Sequence, residues 1–183
     1  MIRKTLHEVA VECVVGDIVA QSDIDAVVNA ANAELRTGGG VAGALHRAAG
    51  PGLEQECRPL APIRPGQAVI TGTHALPNRH VIHCLGPVFG VDEPADELLA
   101  ACYRNTLELA EREGLRSLAF PAISTGAFGY PLHAATEIAL ATVLEAAPRL
   151  VFVRLIRFVL FDRAALDVHA EVLEALSGAE GEQ

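Results

Sequence analysis

Segments with the apolar pattern of β-strands alternate with segments of helical periodicity, and this alternation restricts the fold more than any other feature of the chain. Strands are predicted at residues 7–15, 25–29, 69–73, 80–85, 117–122 and 151–161. Helices are predicted at residues 38–49, 51–60, 96–113, 131–147 and 164–176. Such a pattern is typical of an α/β fold with a mixed, largely parallel sheet that is covered by helices on both faces.

The chain has the length of one ordinary domain and is too short for two of full size. It has 183 residues, of which 51% are hydrophobic and 20% charged, so it can bury a sizeable core. No repeat, low-complexity tract or interdomain linker interrupts it. We therefore expect a single domain over residues 1–176, followed by a polar tail at residues 177–183.

The charge balance excludes one class of partner. Lys and Arg total 14 against 23 Asp and Glu, which gives a net charge of −9. A negative surface repels the phosphate backbone and gains nothing from counterion release, so long DNA or RNA is not an expected partner. An anionic small molecule stays an option, because oriented backbone N–H groups bind phosphate without Lys or Arg.

The spacing of cysteine and histidine residues does not indicate a metal site or a redox dithiol. The four cysteines include no C-x-x-C pair, which favours free thiols in a reducing compartment. His83 and Cys84 are neighbours on a predicted strand and should point to opposite faces, so they cannot easily share one ion. We therefore expect no metal and no cofactor.

The charged N-terminus and the lack of a long apolar run predict a cytoplasmic protein without membrane contact.

The first unusual segment is VVNAANAELRTGGGVAGALHRAAG, residues 27–50, in which three consecutive glycines follow a strand and precede a helix. Gly38, Gly40 and Gly43 match the dinucleotide pattern G-x-G-x-x-G. That pattern should follow its strand directly, whereas here Gly38 comes nine positions after Asn29. A Rossmann-type nucleotide site is therefore a remote alternative, and the glycines instead indicate a backbone that approaches a ligand closely.

Two asparagines in this segment, Asn29 and Asn32, offer neutral amide donors and acceptors, which suit a sugar hydroxyl. Asn29 could equally bond the backbone of its own loop.

The second unusual segment, PAISTGAFGYP at residues 121–131, again places glycines between a strand and a helix. Neither glycine run contains Lys or Arg, so the two loops could form facing walls of N–H groups around a diphosphate. Phe128 would be either an aromatic platform for a sugar or a hydrophobic plug that anchors the loop.

Several motifs in the same order resemble the macro domain family, from about residue 15 to residue 161. The motifs are Val15-Gly16-Asp17-Ile18, Asn29-Ala30-Ala31-Asn32, Gly38–Gly43 with His46-Arg47-Ala48-Ala49-Gly50, Ile82-His83 with Gly86-Pro87, and Ser124–Tyr130. The resemblance implies a three-layer α/β/α sandwich that binds ADP-ribose. Members of the family either only bind ADP-ribose or hydrolyse ADP-ribosyl esters, O-acetyl-ADP-ribose or ADP-ribose 1″-phosphate.

By matching position, the resemblance also implies roles for individual residues. Asp17 and the Ile18 N–H would bind adenine, Asn29 would shape the first loop within the ligand site, and Asn32 would hold the distal ribose. The diphosphate would lie between two walls, which are Gly39, Gly40 and Val41 on one side and Ser124, Thr125, Gly126, Ala127 and Phe128 on the other. Phe161 would cover the adenine. Two alternatives remain open, since Asp17 could be a helix N-cap and Phe161 could belong to the core.

One departure from the family bears on catalysis. Ala42 occupies the position where the most similar hydrolases commonly carry an aspartate that activates the attacking water. Asn32 and the substrate's own diphosphate would then position the water without a strong base, which predicts slow hydrolysis. His46, one helical turn beyond Ala42, could replace the base or simply pack in the core. The sequence thus predicts an ADP-ribosyl hydrolase of low activity, with a non-catalytic ADP-ribose reader as the alternative.

Overall fold

A seven-stranded mixed sheet forms the centre of the computed structural model, which describes residues 1–180. The strands are β1 Ile2–Leu6, β2 Val9–Val15, β3 Ala26–Ala30, β4 Ala68–Thr71, β5 His80–Cys84, β6 Ser117–Phe120 and β7 Leu155–Leu160. The helices are α1 Gly40–Ala49, α2 Pro51–Cys57, α3 Ala95–Arg112, α4 Leu132–Ala146 and α5 Arg163–Glu180, and three short 3₁₀ turns join them at Ile18–Ala20, Arg58–Leu60 and Ala147–Arg149.

The strand order across the sheet is β1-β2-β7-β6-β3-β5-β4. The five central strands run parallel, while β1 and β4 are antiparallel edge strands. The central strands are apolar on both sides, and Val27 and Val28 of β3 are both fully buried although they face opposite layers. This burial on both faces is what a parallel sheet requires. The prediction of a mixed, largely parallel sheet is therefore confirmed.

Two helical layers cover the sheet. Leu45 of α1 and Leu53 of α2 pack on one side, which we call the α1/α2 face. Leu99 of α3, Leu140 of α4 and Leu173 of α5 pack on the other side, the α3–α5 face. The chain is thus the expected three-layer α/β/α sandwich.

Several element boundaries differ from the prediction by a few residues, as β2, β7 and α5 illustrate. The predicted strand at residues 7–15 begins two residues later, as β2, because His7 and Glu8 have positive φ angles of 49° and 67° and form the turn to β1, a strand that the prediction missed. β7 begins later than predicted, since the N–H groups of Val151, Phe152 and Val153 donate to the Glu111 carboxylate instead of to a strand. Helix α5 continues to Glu180, four residues past its predicted end, and residues 181–183 of the predicted tail lie outside the described residues.

The four cysteines are buried and unbridged, as the spacing favoured. Within residues 1–180, no helix is both long and apolar enough to cross a bilayer.

Candidate ligand-binding cleft

The sheet divides at its carboxyl edge between β3 and β6. The two strands pair at Ala26↔Leu118 and Val27↔Ala119, and the pairing stops there. Beyond that point β3 pairs only with β5 and β6 only with β7, and the chain leaves the two strands toward opposite sides of the sheet. Such a switch point opens a crevice at the carboxyl ends of parallel strands. Both glycine-containing loops of the sequence enter this crevice, because one follows β3 and the other follows β6.

The first loop, residues 31–39, is closed by the Asn32 side chain. Its Nδ2 donates to Arg36 O at 2.9 Å, and its Oδ1 accepts from the Arg36 N–H at 3.0 Å. Leu35 adopts a positive φ of 54° inside this turn. One N–H and the oxygen of the Asn32 side-chain amide therefore bond the loop itself. The second N–H of this amide is available to another partner.

Gly39 and Gly40 place the start of α1 against open space. A Cβ added to either glycine would meet no atom within 4 Å, and Gly40 has a positive φ of 56° that favours glycine. No side chain caps this helix, and among the described residues the Val41 and Ala42 N–H groups donate to no acceptor. The first wall of the crevice is thus a row of free N–H groups.

Gly43, unlike Gly39 and Gly40, lies against the backbone of the first loop. A Cβ at this position would lie 2.2 Å from Gly38 O, a backbone atom that cannot rotate away. The absent side chain lets the loop fold back onto the first turn of α1. The third glycine of the G-x-G-x-x-G pattern therefore shapes the loop.

The second loop is held open by its own backbone. Ser124, at a positive φ of 66°, accepts at its carbonyl from the Tyr130 N–H at 2.9 Å, and the Thr125 hydroxyl donates to Ala122 O at 2.8 Å. In the part of the chain that the structure describes, three consecutive N–H groups donate to no acceptor; they belong to Gly126, Ala127 and Phe128. A Cβ on Gly126 would meet nothing within 4 Å. Successive free N–H groups of this kind form an anion-binding concavity.

Phe128 is half-buried and packs against the apolar cluster of the α1/α2 face. Its carbonyl accepts from the Phe89 N–H at 2.9 Å. The loop after β5 therefore joins the second loop, and Gly86 permits this contact because a Cβ there would lie 2.1 Å from Ser124 Oγ.

Asp17 and Phe161 lie together at the other end of the cleft. They follow β2 and β7, which pair at Val15↔Leu160, and the Gly16 N–H donates to Leu160 O at 3.1 Å. Phe161 is 95% exposed, so the alternative that it belongs to the core is wrong. Asp17 is indeed an N-cap, since its Oδ1 accepts from the Val19 N–H at 3.1 Å, while Ile18 is buried in the same short turn. The cap uses Oδ1 of the Asp17 carboxylate, so Oδ2 can accept a hydrogen bond from a ligand.

An arginine that the sequence analysis missed fixes the segment that carries Asp17. Arg157 of β7 donates to Gln21 Oε1, to Glu12 Oε2 and to both carboxylate oxygens of Asp23, each at 2.9 Å. Gln21 in turn donates to Asp17 O at 2.9 Å. Hydrogen bonding to Arg157 lowers the pKa of Asp23. The signal was an arginine inside an otherwise apolar strand, LIRFVL.

Asn29 does not reach the surface of the cleft. It is fully buried on the α1/α2 face, where its Nδ2 donates to His83 Nδ1 at 3.0 Å. His83 Nε2 then donates to Thr71 Oγ1 at 2.9 Å. Asn29 and His83 are register partners near the ends of β3 and β5, so the pair braces both strands beneath the loops. The residue was expected in the ligand site, but side-chain alternation along β3 turns it away.

Ala42 and His46 are both buried in α1, with exposures of 5% and 6%. The His46 ring lies 6.4 Å from the His83 ring, and desolvation lowers the pKa of both histidines, that of His83 to about 3. His46 thus packs in the core instead of facing the cleft. His83 and Cys84 do lie on opposite faces, and no group of three or more potential metal-ligating side chains occurs within residues 1–180.

The comparisons with known proteins agree on one family. Residues 28–139 match the model of the macro domain. An O-acetyl-ADP-ribose deacetylase of Salmonella newport is 46% identical over 163 residues, which cover 86% of this chain and 90% of that protein. The structure of an Oceanobacillus iheyensis macrodomain with ADP is 38% identical with a TM-score of 0.93, over 97% of both chains. A Trypanosoma brucei macrodomain in complex with ADP-ribose is 37% identical with a TM-score of 0.80, over 88% of this chain and 68% of that one.

Replacing Gly43 by Ala should destabilise the protein by about 1–3 kcal/mol, as overpacking does. A Gly-to-Ala change inside a helix ordinarily stabilises by about 1 kcal/mol, so the sign itself is diagnostic. The cause is the contact of the new Cβ with Gly38 O. Urea unfolding measures the change, with Gly39→Ala as the control that meets no atom. A more stable Gly43→Ala variant would contradict the packing of the first loop.

Acid should destabilise the protein below about pH 6.5. Between the ordinary His pKa of 6.5 and the folded value of about 3, the unfolded chain binds a proton that buried His83 does not bind. The free energy of unfolding then falls as pH falls, by up to about 1.4 kcal/mol per pH unit from this residue. Urea unfolding over this pH range should show a shallower slope in His83→Gln and an unchanged slope in His133→Gln, whose side chain is 53% exposed. If the free energy of unfolding depends on pH equally in both variants, His83 does not cause the loss of stability in acid.

Proposed function

Because the chain belongs to the macro domain family, we propose that its cleft binds ADP-ribose, with the diphosphate between the two glycine-containing loops. The observation that carries this proposal is a row of N–H groups without acceptors in each of the two loops that follow β3 and β6. Val41 and Ala42 supply one row and Gly126, Ala127 and Phe128 the other, without a Lys or Arg in either. Backbone N–H groups at a helix start and in a loop concavity suit a diphosphate in a protein of net charge −9.

Adenine would lie at the end marked by Asp17 and Phe161. The carboxylate oxygen of Asp17 that does not cap the short turn would accept from the adenine amino group, beside the Ile18 N–H. The exposed Phe161 ring would cover the base, since a ring left in water gains by stacking. The Arg157 network keeps this end in place through Gln21.

The distal ribose would lie at the first loop. Asn32 keeps one N–H after closing that loop, and this donor suits a ribose hydroxyl. From β2 to β3 the sheet spans three strand spacings, or roughly 14 Å, which matches an extended dinucleotide-like ligand better than a mononucleotide.

For the reaction, we propose slow hydrolysis of an ester on the distal ribose, with O-acetyl-ADP-ribose as the test substrate. Water would add to the acetyl carbonyl, the bond from the carbonyl carbon to the ribose oxygen would break, and acetate and ADP-ribose would leave. Asn32 would orient the sugar, and the bound diphosphate would help position the water. Ala42 supplies no base, so the step lacks the ~10²–10⁴-fold that general-base catalysis contributes. The deacetylase name of a 46% identical relative supports this reaction.

A non-catalytic reader of ADP-ribose is the second candidate. The observation in its favour is Ala42, which is buried at the start of α1 and has no side chain to act on a water. His46 does not take over this role from its place in the core.

Replacing Gly126 by Glu should abolish ADP-ribose binding without loss of the fold. The new side chain would enter open space, where it fills the diphosphate position and repels the ligand's charge. Calorimetric titration with ADP-ribose measures the loss. Gly178→Glu is the matched control, because it adds the same charge on α5, where a Cβ also meets no atom. Full affinity in Gly126→Glu would place the ligand elsewhere.

Replacing Ala42 by Asp should raise turnover of O-acetyl-ADP-ribose by about 10²-fold, the lower end of the general-base range. The carboxylate would sit in the first turn of α1, where the helix dipole favours negative charge. Ala42→Asn is the control, since it has nearly the same shape and cannot act as a base. Acetate release measures the rate. If neither the native chain nor Ala42→Asp exceeds the buffer blank while ADP-ribose still binds, the protein is a reader.

A further inference from the structure

We propose that β4, the strand at one edge of the sheet, pairs with β4 of a second copy of this chain and joins the two sheets into one. This inference is independent of the proposed function, because β5 separates β4 from β3 and therefore from the cleft. Three features of the edge carry it: backbone groups without partners, the lack of charges that protect an edge strand, and a neutral surface.

The outer side of β4 has free backbone groups. The Leu85 N–H donates to Gln67 O at 3.2 Å, so Gln67 and Val69 turn their backbone groups toward β5. By the alternation of an antiparallel ladder, the N–H and C=O groups of Ala68 and Ile70 point away from the sheet. Within residues 1–180, these groups take part in no hydrogen bond. Such a row of donors and acceptors fits another extended strand.

Side chains close both ends of this free segment. Asn105 Nδ2 donates to Gly66 O at 2.7 Å, and the Gly72 N–H donates to Glu56 Oε2 at 2.7 Å. The free segment therefore lies between these two glycines and is centred on Val69. A strand that pairs with it has its length and its position set by these two contacts.

Two copies of β4 use all of the free groups when they run antiparallel about Val69. Ala68 of each copy then lies opposite Ile70 of the other, and each such pair exchanges two backbone hydrogen bonds. Val69 lies opposite Val69 of the second copy, with the Cβ atoms roughly 5 Å apart. The arrangement has twofold symmetry, which is by far the commonest symmetry of protein oligomers.

The two edges of the sheet differ in their protection. β1 carries Arg3 and Lys4, charges of the kind that natural edge strands use against pairing. β4 reads AVIT, without a charge or a proline. A groove of about 380 Å³ lies along it, with Leu60 from the α1/α2 side and Leu109 of α3 on its walls. The edge of β4 is thus open to a strand.

The charge of this surface favours a copy of the chain over a charged partner. The groove is lined by one acid, Glu108, and one base, Arg112, which pair at 3.5 Å. The surface is therefore neutral, although the chain as a whole carries a charge of −9. A neutral surface does not attract a basic protein and does not repel its own copy.

Sedimentation velocity over a wide range of protein concentration tests the pairing. The native chain should form a reversible dimer. Val69→Lys should weaken dimerisation by about tenfold, because it sets two like charges opposite each other in place of an apolar pair. Thr5→Lys is the matched control, since it adds the same charge to an exposed position of β1, the other edge strand, and should leave the dimer unchanged.

Charge complementation makes the test specific for this register. Val69→Glu should weaken dimerisation as Val69→Lys does, whereas an equimolar mixture of the two variants should associate as the native chain does, because opposite charges then face each other. Ala68→Pro is an independent variant, since it removes an outward N–H and leaves the hydrogen bonds to β5 intact. It should also weaken the dimer, while circular dichroism shows that each variant keeps its fold.

A native chain that stays monomeric at every concentration would overturn the proposal, and a strand bound at β4 would then have to come from another protein. A dimer that persists in folded Val69→Lys would also overturn it, since the contact would lie elsewhere. So would a mixture of the Lys and Glu variants that fails to associate. If Val69→Lys does not fold, a dimer of native strength in Ala68→Pro gives the same refutation.

Discussion

The short pairing between β3 and β6 is the interaction on which the cleft depends. These strands bond at only two register pairs, Ala26↔Leu118 and Val27↔Ala119, before they part toward different neighbours. The pairing is close enough to bring two loops side by side, and its early end leaves room between them. Because the five central strands are parallel, every chemically distinctive loop emerges at the same edge.

Hydrogen bonds between polar side chains brace the sheet. Asn29 and His83, both fully buried, connect the ends of β3 and β5, and Arg157 ties the segment before β3 to β7 through Asp23. Buried polar side chains cost free energy unless they are bonded, so the bond between Asn29 and His83 offsets part of the cost of burying them. This pair lies at the strand ends from which the loops emerge, so it links the stability of the sheet to the geometry of the cleft. The loops themselves can stay free of cations and present bare N–H groups.

The sequence predicted the architecture well where local pattern decides it. Alternating strands and helices, glycine runs at strand ends and the family motifs sufficed for the three-layer sandwich, and the family comparisons confirm the resemblance. The sequence-based predictions were wrong where a contact between residues far apart in the sequence determines the local structure. The start of β7 depends on Glu111, forty residues away in sequence, and the partner that Asn29 bonds in the interior, His83, is 54 residues away. The turn at His7 and Glu8 was missed for another reason, since it lacks the Asn-Gly, Asp-Gly or Gly-Gly pair that marks a two-residue hairpin turn in a sequence.

The central claim is that N–H groups from both loops hold the diphosphate of ADP-ribose. Titration of the ¹⁵N-labelled chain with ADP-ribose, followed by amide NMR shifts, tests it most directly. The account predicts the largest shifts at Val41 and Ala42 in the first wall and at Gly126, Ala127 and Phe128 in the second, saturating together. Shifts confined to another surface, such as the groove of about 380 Å³ between β4 and α3 that Gln67 and Asn105 line, would contradict it, and so would shifts in one loop alone.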